Sequence, residues 1–508
     1  MSTNTPFTPS PSTSASIAPQ DFGDSPDGSV LDLSIERLRE NYHRNAITPS
    51  DVVQTVYTRI ANHSDKAAWI TLIDQDVALE RARELSQQCP KADTRPPLYG
   101  IPFSVKDSID IAGMPTTLAC PSYAYTATTT APVVQRILDA GGILIGKTNL
   151  DQFATGLNGT RSPYGAPRCV RDPEYISGGS SSGGAVSVGA HLVSFAVATD
   201  TAGSTRVPAA LNGLVGLKPT LGTISTAGLV PACKTADCIT VIAPTIETAR
   251  CALDVMQSYD EDDEYAREPH ELACLAQQPA WSLSELTTSV RYGLPPQSLV
   301  DSALSPPYAS LFSRFLASLG KTEMILASSF DYAPFEQANN MLYGSSIVSQ
   351  RLVAFKDYLD VHGFDKLNPV VKDVFEASAG FDAVKAYEDI FTLKKYRRLA
   401  HKQFHGGPSS APVDQEADER IDVLIVPSTT AHPTVEEMLA DPLALNKRLG
   451  TFTHFVNLLD LCAVSVPITA SWESKNGESM PFGVTLIALP GRDRDMLELG
   501  KRLMMIEV

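Results

Sequence analysis

The feature that most constrains this chain is a run of small residues, GGSSSGG at residues 178–184, followed by DTAGSTRVP at residues 200–208. Glycine lets the backbone bend tightly, and serine carries a hydroxyl that can attack a carbonyl carbon. Backbone N–H groups crowded into the same place can bind the oxyanion that such an attack creates. The pattern therefore predicts a nucleophilic site built on tight turns.

A flexible linker is the usual meaning of Gly/Ser-rich composition. The flanking sequence disagrees with that interpretation, because residues 185–199, AVSVGAHLVSFAVAT, are almost entirely apolar or small. Linkers lie between polar segments, whereas this run adjoins a segment with the composition of a protein core. We therefore expect the run to be buried.

The charge balance is acidic, with 58 Asp and Glu against 41 Lys and Arg and a net charge of −17. Such a chain repels nucleic acid and anionic membranes, so neither is expected as a partner. No uncharged apolar run reaches the ~18 residues of a membrane span. Residues 1–28 are rich in Ser, Thr and Pro and carry neither signal-peptide nor transit-peptide features, so a disordered tail and a cytoplasmic location are expected.

Eight cysteines are scattered along the chain without CxxC pairs. This spacing fits neither a metal site nor a disulfide framework, so reduced, buried thiols are predicted and no metal or cofactor is expected. A cysteine nucleophile is disfavoured because no cysteine lies in a Gly-rich turn.

Strand-like and helix-like segments alternate through residue 245, which is typical of a layered α/β fold. Ser34 and Thr48 are expected to cap early helices. Strands are expected at residues 69–73, 98–105, 143–145, 292–294, 324–326, 422–426 and 481–488, and helices at residues 75–88, 132–140 and 245–258. No linker divides residues 29–508, so we predict one domain with a helical N-terminal part at about 29–90 and a helical insertion at about 335–405.

A serine nucleophile needs a base, and histidine is the usual one. A Gly-x-Ser-x-Gly elbow can be read at residues 179–183 with Ser181 in the middle. Its base would then be one of the downstream histidines, for which the candidates are His401, His405 and His432.

Lysine is the other possible base. A free lysine titrates near ~10.4, but burial away from carboxylates can lower its pKa by several units. Lys106 fits this requirement because it follows the apolar run LYGIPFSV. The alternative interpretation is that Lys106 is an ordinary lysine that forms an ion pair with the adjacent Asp107.

Three blocks of the sequence together resemble the amidase signature family: PLYGIPFSVKDSIDIAGMPTT at 97–117, the Gly/Ser run, and DTAGSTRVPAALNGLVGLKPT at 200–220. They follow the family's order and spacing, and the similarity covers about residues 30–500. The resemblance implies a single amidase-signature domain of the α/β class, with a large mixed central sheet covered by helices on both faces.

The same resemblance implies the roles of the site residues. Ser204 would be the nucleophile, and Ser180, next to a cis peptide bond, would connect it to the base Lys106. The oxyanion would be held by the backbone N–H groups of Thr201, Ala202, Gly203 and Ser204. Asp200 and Arg206 flank the nucleophile, and we interpret them as a pair that supports the loop.

Two further blocks, at residues 149–169 and 228–245, look like allophanate hydrolase. Tyr343 and Arg351, expected in one helix, match the residues with which that enzyme family holds its small anionic substrate. Gly156 is expected to offer its backbone carbonyl to the substrate's amide. The implied reaction releases ammonia and N-carboxycarbamate from allophanate, which is urea-1-carboxylate.

Two alternative functions stay open at this point. The chain could be a general or biosynthetic amidase for another small polar amide, or a glutaminase-type component of a tRNA-amidating complex. The resemblance also implies a homodimer, and an amidase domain without the C-terminal second domain that many allophanate hydrolases carry.

Overall fold

A computed structural model describes the protein at residues 31–276, 290–405 and 420–508. The tail predicted at residues 1–28 lies outside these described residues. The strands are β1 (Trp69–Leu72), β2 (Pro102–Lys106), β3 (Pro115–Thr116), β4 (Tyr125–Thr126), β5 (Ile143–Thr148), β6 (Phe195–Asp200), β7 (Val215–Lys218), β8 (Cys238–Ala243), β9 (Arg291–Gly293), β10 (Ile325–Leu326), β11 (Val423–Pro427), β12 (Cys462–Glu473) and β13 (Ser479–Ala488).

The helices pack around these strands. They are α1 (Ile35–His43), α2 (Pro49–Asn62), α3 (Gln75–Gln88), α4 (Pro132–Asp139), α5 (Ser182–Gly189), α6 (Arg206–Leu211), α7 (Ile246–Met256), α8 (Pro269–Ala276), α9 (Gln297–Ala303), α10 (Pro306–Leu319), α11 (Ala333–Gly344), α12 (Gln350–Ala354), α13 (Lys356–His362), α14 (Pro369–Ser378), α15 (Ala383–His401), α16 (Val435–Ala440), α17 (Ala444–Leu449), α18 (Phe455–Leu458) and α19 (Asp493–Leu503). In the part of the chain that is described, no helix has the length and apolar character of a membrane span.

Eleven of the described strands form one sheet in the order β1-β5-β2-β6-β8-β7-β12-β13-β11-β9-β10. Strand β2 pairs in parallel with both β5 and β6, whereas β8 is antiparallel to β6 and β7. The sheet is therefore mixed and flanked by helices, which confirms the predicted fold class.

The strand expected at residues 98–105 begins later than predicted, at Pro102. The preceding residues turn instead: the N–H of Ile101 donates to the carbonyl of Leu98 at 3.0 Å, and Gly100 has a positive φ of 69°. The apolar residues of this turn are buried in the core, so composition alone gives a strand-like signal where the backbone bends.

Candidate active site

The parallel strands β2 and β6 place the predicted base beside the predicted nucleophile loop. Val105 of β2 aligns with Val197 of β6, so both strands end at the same edge of the sheet. Lys106 is the last residue of β2, and Asp200, the last residue of β6, leads directly into the loop that carries Ser204.

The Gly/Ser run is buried throughout, which excludes the linker interpretation. Its peptide bond between Gly179 and Ser180 is cis. Helix α5 then begins at Ser182 and packs closely on its surroundings: a Cβ added at Gly183 would lie 2.1 Å from the carbonyl oxygen of Ala68. Only glycine fits at that position.

Lys106 lies among hydroxyl groups. Its Nζ is 2.7 Å from Ser180 Oγ, 3.0 Å from Ser181 Oγ and 2.8 Å from Thr199 Oγ1. All four side chains are buried, and among the described residues no carboxylate forms an ion pair with Lys106. The structure thus joins Lys106 to Ser180 and adds two neighbours.

Burial lowers the pKa of Lys106 to about 7, although the carboxylates of Asp151, Asp200 and Asp237 act in the opposite direction from a distance. An amine with this pKa is uncharged in a large share of molecules near neutral pH, and only the uncharged form can accept a proton.

The alternative ion pair between Lys106 and Asp107 is not formed. Asp107 Oδ1 instead lies 3.1 Å from Nζ of Lys147, and its Oδ2 accepts hydrogen bonds from the backbone and hydroxyl of Thr117. Both charged side chains of this ion pair are fully buried. Asp107 is therefore neutralised without Lys106.

The histidine-based alternative fails for a similar reason. The Nε2 atoms of His401 and His432 lie 2.7 and 2.8 Å from the backbone carbonyls of Leu459 and Ile176, and Nδ1 of His405 lies 2.9 Å from Asp422. The hydroxyl that this alternative would activate belongs to Ser181, and it donates to the carbonyl of Thr199 at 3.1 Å.

Ser204 adjoins this group through its backbone. Its carbonyl accepts a hydrogen bond from the N–H of Ser181 at 3.2 Å, and the residue is 3% exposed. The Ser204 hydroxyl makes no hydrogen bond to any described residue, so the step from Ser204 to Ser180 stays a prediction.

The four backbone N–H groups predicted to hold an oxyanion divide into two kinds. The N–H of Gly203 donates to Asp200 Oδ1 at 2.7 Å. Those of Thr201, Ala202 and Ser204 have no partner among the described residues. Three donors therefore stay available for a ligand, and the fourth holds the loop.

Asp200 and Arg206 form the supporting pair that the sequence suggested. Arg206 donates to Asp200 through Nε at 3.0 Å and Nη2 at 2.9 Å, and both side chains are fully buried. Burial alone would raise the pKa of Asp200, but the guanidinium and the N–H of Gly203 hold it below its usual range. Arg206 also reaches the carbonyl of Thr453 and the amide oxygen of Asn457.

Tyr343 and Arg351 do not share one helix, contrary to the prediction. Helix α11 ends at Gly344, Ser345 is extended, and its hydroxyl caps the short 3-10 helix Ser346–Ser349 before α12 begins. The turn nevertheless brings the two together, with the guanidinium carbon of Arg351 5.9 Å from the centre of the Tyr343 ring.

Arg351 is a buried cation that has no counter-charge among the described residues. It is 1% exposed, its Nε donates to Thr155 Oγ1 at 3.2 Å, and its Nη1 has no hydrogen-bond partner. Within the described residues it forms no ion pair. A buried charge without a partner is costly, so this guanidinium is suited to bind an anion.

Gly156 directly follows Thr155, the residue that Arg351 contacts. Its carbonyl accepts no backbone hydrogen bond from the described residues, and a Cβ at this position would lie 2.5 Å from Asp151 Oδ2. Gly156 is therefore adjacent in sequence to a contact of Arg351, and its role towards a substrate stays a prediction.

Sequence reasoning missed several neighbours of the site, chiefly Thr199 beside Lys106, Lys147 beside Asp107, and His454 beside Tyr343. Thr199 carried a usable signal, since it directly precedes the conspicuous Asp200 block. The ring of His454 lies 5.4 Å from that of Tyr343, a contact across more than a hundred residues that no local pattern shows.

Comparison with known proteins identifies the family of this chain. The amidase family model matches residues 51–497. Urea amidolyase of Lachancea kluyveri is 38% identical over 437 residues, which are 86% of this chain and 22% of that protein. The urea amidolyase of Saccharomyces cerevisiae is also 38% identical, over 441 residues, with the same shares covered. The chain therefore spans only 22% of the length of these relatives.

Two further relatives are matched over more of their length. A glutamyl-tRNA(Gln) amidotransferase subunit from Natranaerobius thermophilus is 30% identical over 482 residues, covering 90% of this chain and 92% of that protein. The structure of allophanate hydrolase from Kluyveromyces lactis superposes with a TM-score of 0.78 at 35% identity, covering 93% of this chain and 72% of that one. Because the family model covers most of its residues, this chain belongs to the amidase family, and it is an amidohydrolase acting on carbon–nitrogen bonds.

Proposed function

We propose that the protein hydrolyses allophanate to N-carboxycarbamate and ammonia, with Ser204 as nucleophile, Ser180 as relay and Lys106 as base. The observation that carries the substrate assignment is the buried guanidinium of Arg351, whose Nη1 has no hydrogen-bond partner in the part of the chain that the structure describes. Allophanate is a small amide with one carboxylate, which supplies the missing counter-charge. Similarity to the K. lactis allophanate hydrolase supports the same choice.

The hydrogen bonds around Lys106 suggest how it acts. A neutral amine has two N–H donors and one lone pair. Ser181 already donates its proton to the carbonyl of Thr199, so it can only accept from Lys106. If Thr199 Oγ1 accepts the second N–H, the lone pair is left for the hydroxyl proton of Ser180.

In the acylation step, Ser204 Oγ forms a bond to the terminal carbonyl carbon of allophanate. The proton of Ser204 passes to Ser180 Oγ, and the proton of Ser180 passes to Nζ of Lys106. The negative charge that develops on the carbonyl oxygen is held by the unpartnered N–H groups of Thr201, Ala202 and Ser204, each worth about 3 kcal/mol in such sites.

Collapse of this intermediate breaks the carbon–nitrogen bond. The leaving nitrogen takes a proton that returns from Lys106 through Ser180, and ammonia departs. Water then attacks the acyl-enzyme, giving its proton to the same relay, and N-carboxycarbamate is released as the Ser204 hydroxyl is restored.

The substrate's carboxylate would pair with Arg351, and the Tyr343 hydroxyl would donate a hydrogen bond to it. A planar guanidinium suits bidentate pairing with a carboxylate. The backbone carbonyl of Gly156 would accept from the substrate's N–H.

The test compares allophanate with biuret, a neutral relative in which an amide replaces the carboxylate. Ammonia release by the wild-type enzyme should favour allophanate. Arg351→Ala should lower kcat/KM for allophanate on the order of 100-fold, the cost of losing one member of a buried charge pair, with little change for biuret. Arg37→Ala, at an exposed arginine of α1, is the control. Hydrolysis of simple aliphatic or aryl amides with no ammonia from allophanate would refute the assignment.

A glutaminase-type component of an amidotransferase is the second candidate. Similarity along 92% of the N. thermophilus glutamyl-tRNA(Gln) amidotransferase protein favours it. This candidate predicts ammonia release from glutamine and co-elution with partner proteins in gel filtration from cell extract. Our proposal predicts neither.

We also propose that the protein is a cytoplasmic homodimer. The cysteines are all unpaired thiols, which suits a reducing compartment. Val384, Tyr387 and Phe391 on α15 are each more than 60% exposed and form an apolar face that a second copy could cover. Light scattering of the purified protein and of Phe391→Glu would test this; a monomeric wild type contradicts it.

A further inference from the structure

A surface cavity of about 740 Å³ is lined in part by Tyr343, the residue proposed to bind the substrate's carboxylate. Helices α11 and α17 contribute much of its lining, which includes Asn339, Asn340, Tyr343, Lys447, Arg448 and His454. We call this cavity the vestibule. Two of its lining residues, Tyr343 and His454, also belong to the surroundings of the active site.

The vestibule carries an excess of positive charge. Its lining includes two cations, Lys447 and Arg448, and one carboxylate, Glu336. In the described ranges the Lys447 amine forms no ion pair, and Arg448 donates only to the backbone carbonyl of Ala303. The whole chain has a net charge of −17, so this local excess stands out from a surface that repels anions.

The inner wall of the vestibule lies close to Arg351. The rings of Tyr343 and His454 pack edge to face, and the guanidinium carbon of Arg351 lies 5.9 Å from the centre of the Tyr343 ring. His454 is buried, and its pKa is lowered to about 3. Burial is the main cause, and the charge of the nearby Arg206 is the second. It is therefore uncharged at neutral pH, and the positive charges along this path are those of Lys447 and Arg448 outside and Arg351 inside.

We propose that the vestibule is the entrance for anionic substrate. Lys447 attracts the substrate's carboxylate, which then moves past Tyr343 and binds to Arg351. This inference rests on the proposed function, because it requires an anionic substrate. An attraction of this kind acts through solvent, so it is weakened by salt and acts on binding rather than on the chemical step.

The test measures kcat/KM for allophanate and biuret at low and high ionic strength in Lys447→Gln, Lys447→Glu and the wild-type enzyme. Coulomb energies across solvent predict that Lys447→Gln lowers kcat/KM for allophanate about 2- to 5-fold at low ionic strength. The fall should be larger with Lys447→Glu and should vanish at high salt. Values of kcat, and kcat/KM for biuret, should not change.

Lys91→Gln is the matched control, since it removes the same charge from an exposed lysine that does not line the vestibule. If wild type prefers allophanate and depends on Arg351, but Lys447→Gln behaves like Lys91→Gln, the vestibule's role is refuted and the proposed function stands. If wild type shows no preference for allophanate over biuret, both are refuted.

Discussion

At the scale of single residues, the candidate site contains a buried lysine whose amine is surrounded by hydroxyl groups. Ser180, Ser181 and Thr199 satisfy the hydrogen-bonding capacity of the Lys106 amine without supplying a negative charge. Hydroxyl dipoles stabilise an ammonium less than a carboxylate does, so burial dominates and lowers the pKa of the Lys106 amine to about 7.

Two features of the backbone at Gly203 should make any larger residue there disturb the loop. Its φ is 121°, and an added Cβ would lie 2.5 Å from Thr453 Oγ1. Gly203→Ala should therefore displace the loop and lower kcat on the order of 100-fold, the effect of losing an oxyanion donor. Gly113→Ala is the control, because φ is 78° there but nothing lies within 4 Å.

Thermal unfolding and ammonia-release kinetics of both variants check this prediction. Gly113→Ala should lose about 1–2 kcal/mol of stability from backbone strain and keep its activity. Equal activities in the two variants would show that the Gly203 backbone does not position the loop.

The ion pair of Asp107 shows that the nearest charged residue in sequence need not be the partner in the structure. Sequence alone favours a pair with Lys106, yet β2 ends at Lys106 and Asp107 lies in the turn that follows, where the N–H of Ile109 donates to the carbonyl of Lys106. Asp107 therefore meets Lys147 of β5, the strand next to β2. The identity of that partner depends on strand order, which the sequence does not state.

At the scale of helices and strands, local signals predicted much of what is observed. The helix expected at residues 75–88 has those bounds, and the strands expected near residues 69, 143 and 422 are β1, β5 and β11. These segments have clear periodicity and flanking caps or glycines.

The break between Tyr343 and Arg351 was not predicted. A glycine and two serines, Gly344-Ser345-Ser346, mark the end of the first helix, but the apolar Ile347 and Val348 follow at once. These two residues favoured one continuous helix over the extended Ser345 that divides the two. The order of the central sheet was not predicted either, because β12 pairs not only with the adjacent β13 but also with β7, which lies far earlier in the sequence.

The caps of the first two helices give a matched prediction. Thr48 Oγ1 accepts from the N–H of Asp51 at 3.2 Å, and the Asp51 carboxylate accepts from the N–H of Thr48 at 2.8 Å. Ser34 occupies the corresponding position of α1, but its hydroxyl makes no capping bond. Thr48→Ala should cost about 1 kcal/mol, and Ser34→Ala should cost clearly less.

Thermal or urea unfolding of the two alanine variants measures this difference. A larger loss for Ser34→Ala than for Thr48→Ala would contradict the capping assignment.

At the scale of the whole molecule, the buried lysine links stability to pH. Lys106 has a folded pKa of about 7, against about 10.4 for an unfolded lysine. Between these values the unfolded chain binds more protons, so the lysine makes the folded state more stable as pH rises through that window.

The unfolding temperatures of wild type and Lys106→Met should therefore depend differently on pH. As pH rises from about 7 to about 9, the unfolding temperature of the wild type should rise relative to that of Lys106→Met, which lacks the titrating group. Lys91→Met, at an exposed lysine, should follow the wild type. Parallel curves for wild type and Lys106→Met would mean that the amine is not depressed in the folded state.

Within the mixed sheet, parallel β2 and β6 bring Lys106 and the loop of Ser204 to one edge, which suits the proposed relay. The most direct test of the relay is the rate at which a serine-directed phosphonate labels the protein, followed by peptide mass spectrometry across pH. The label should lie on Ser204, form faster as pH rises through about 7, and form very slowly in folded Lys106→Met. Labelling of Ser181 instead, or equal rates in wild type and Lys106→Met, would contradict the account.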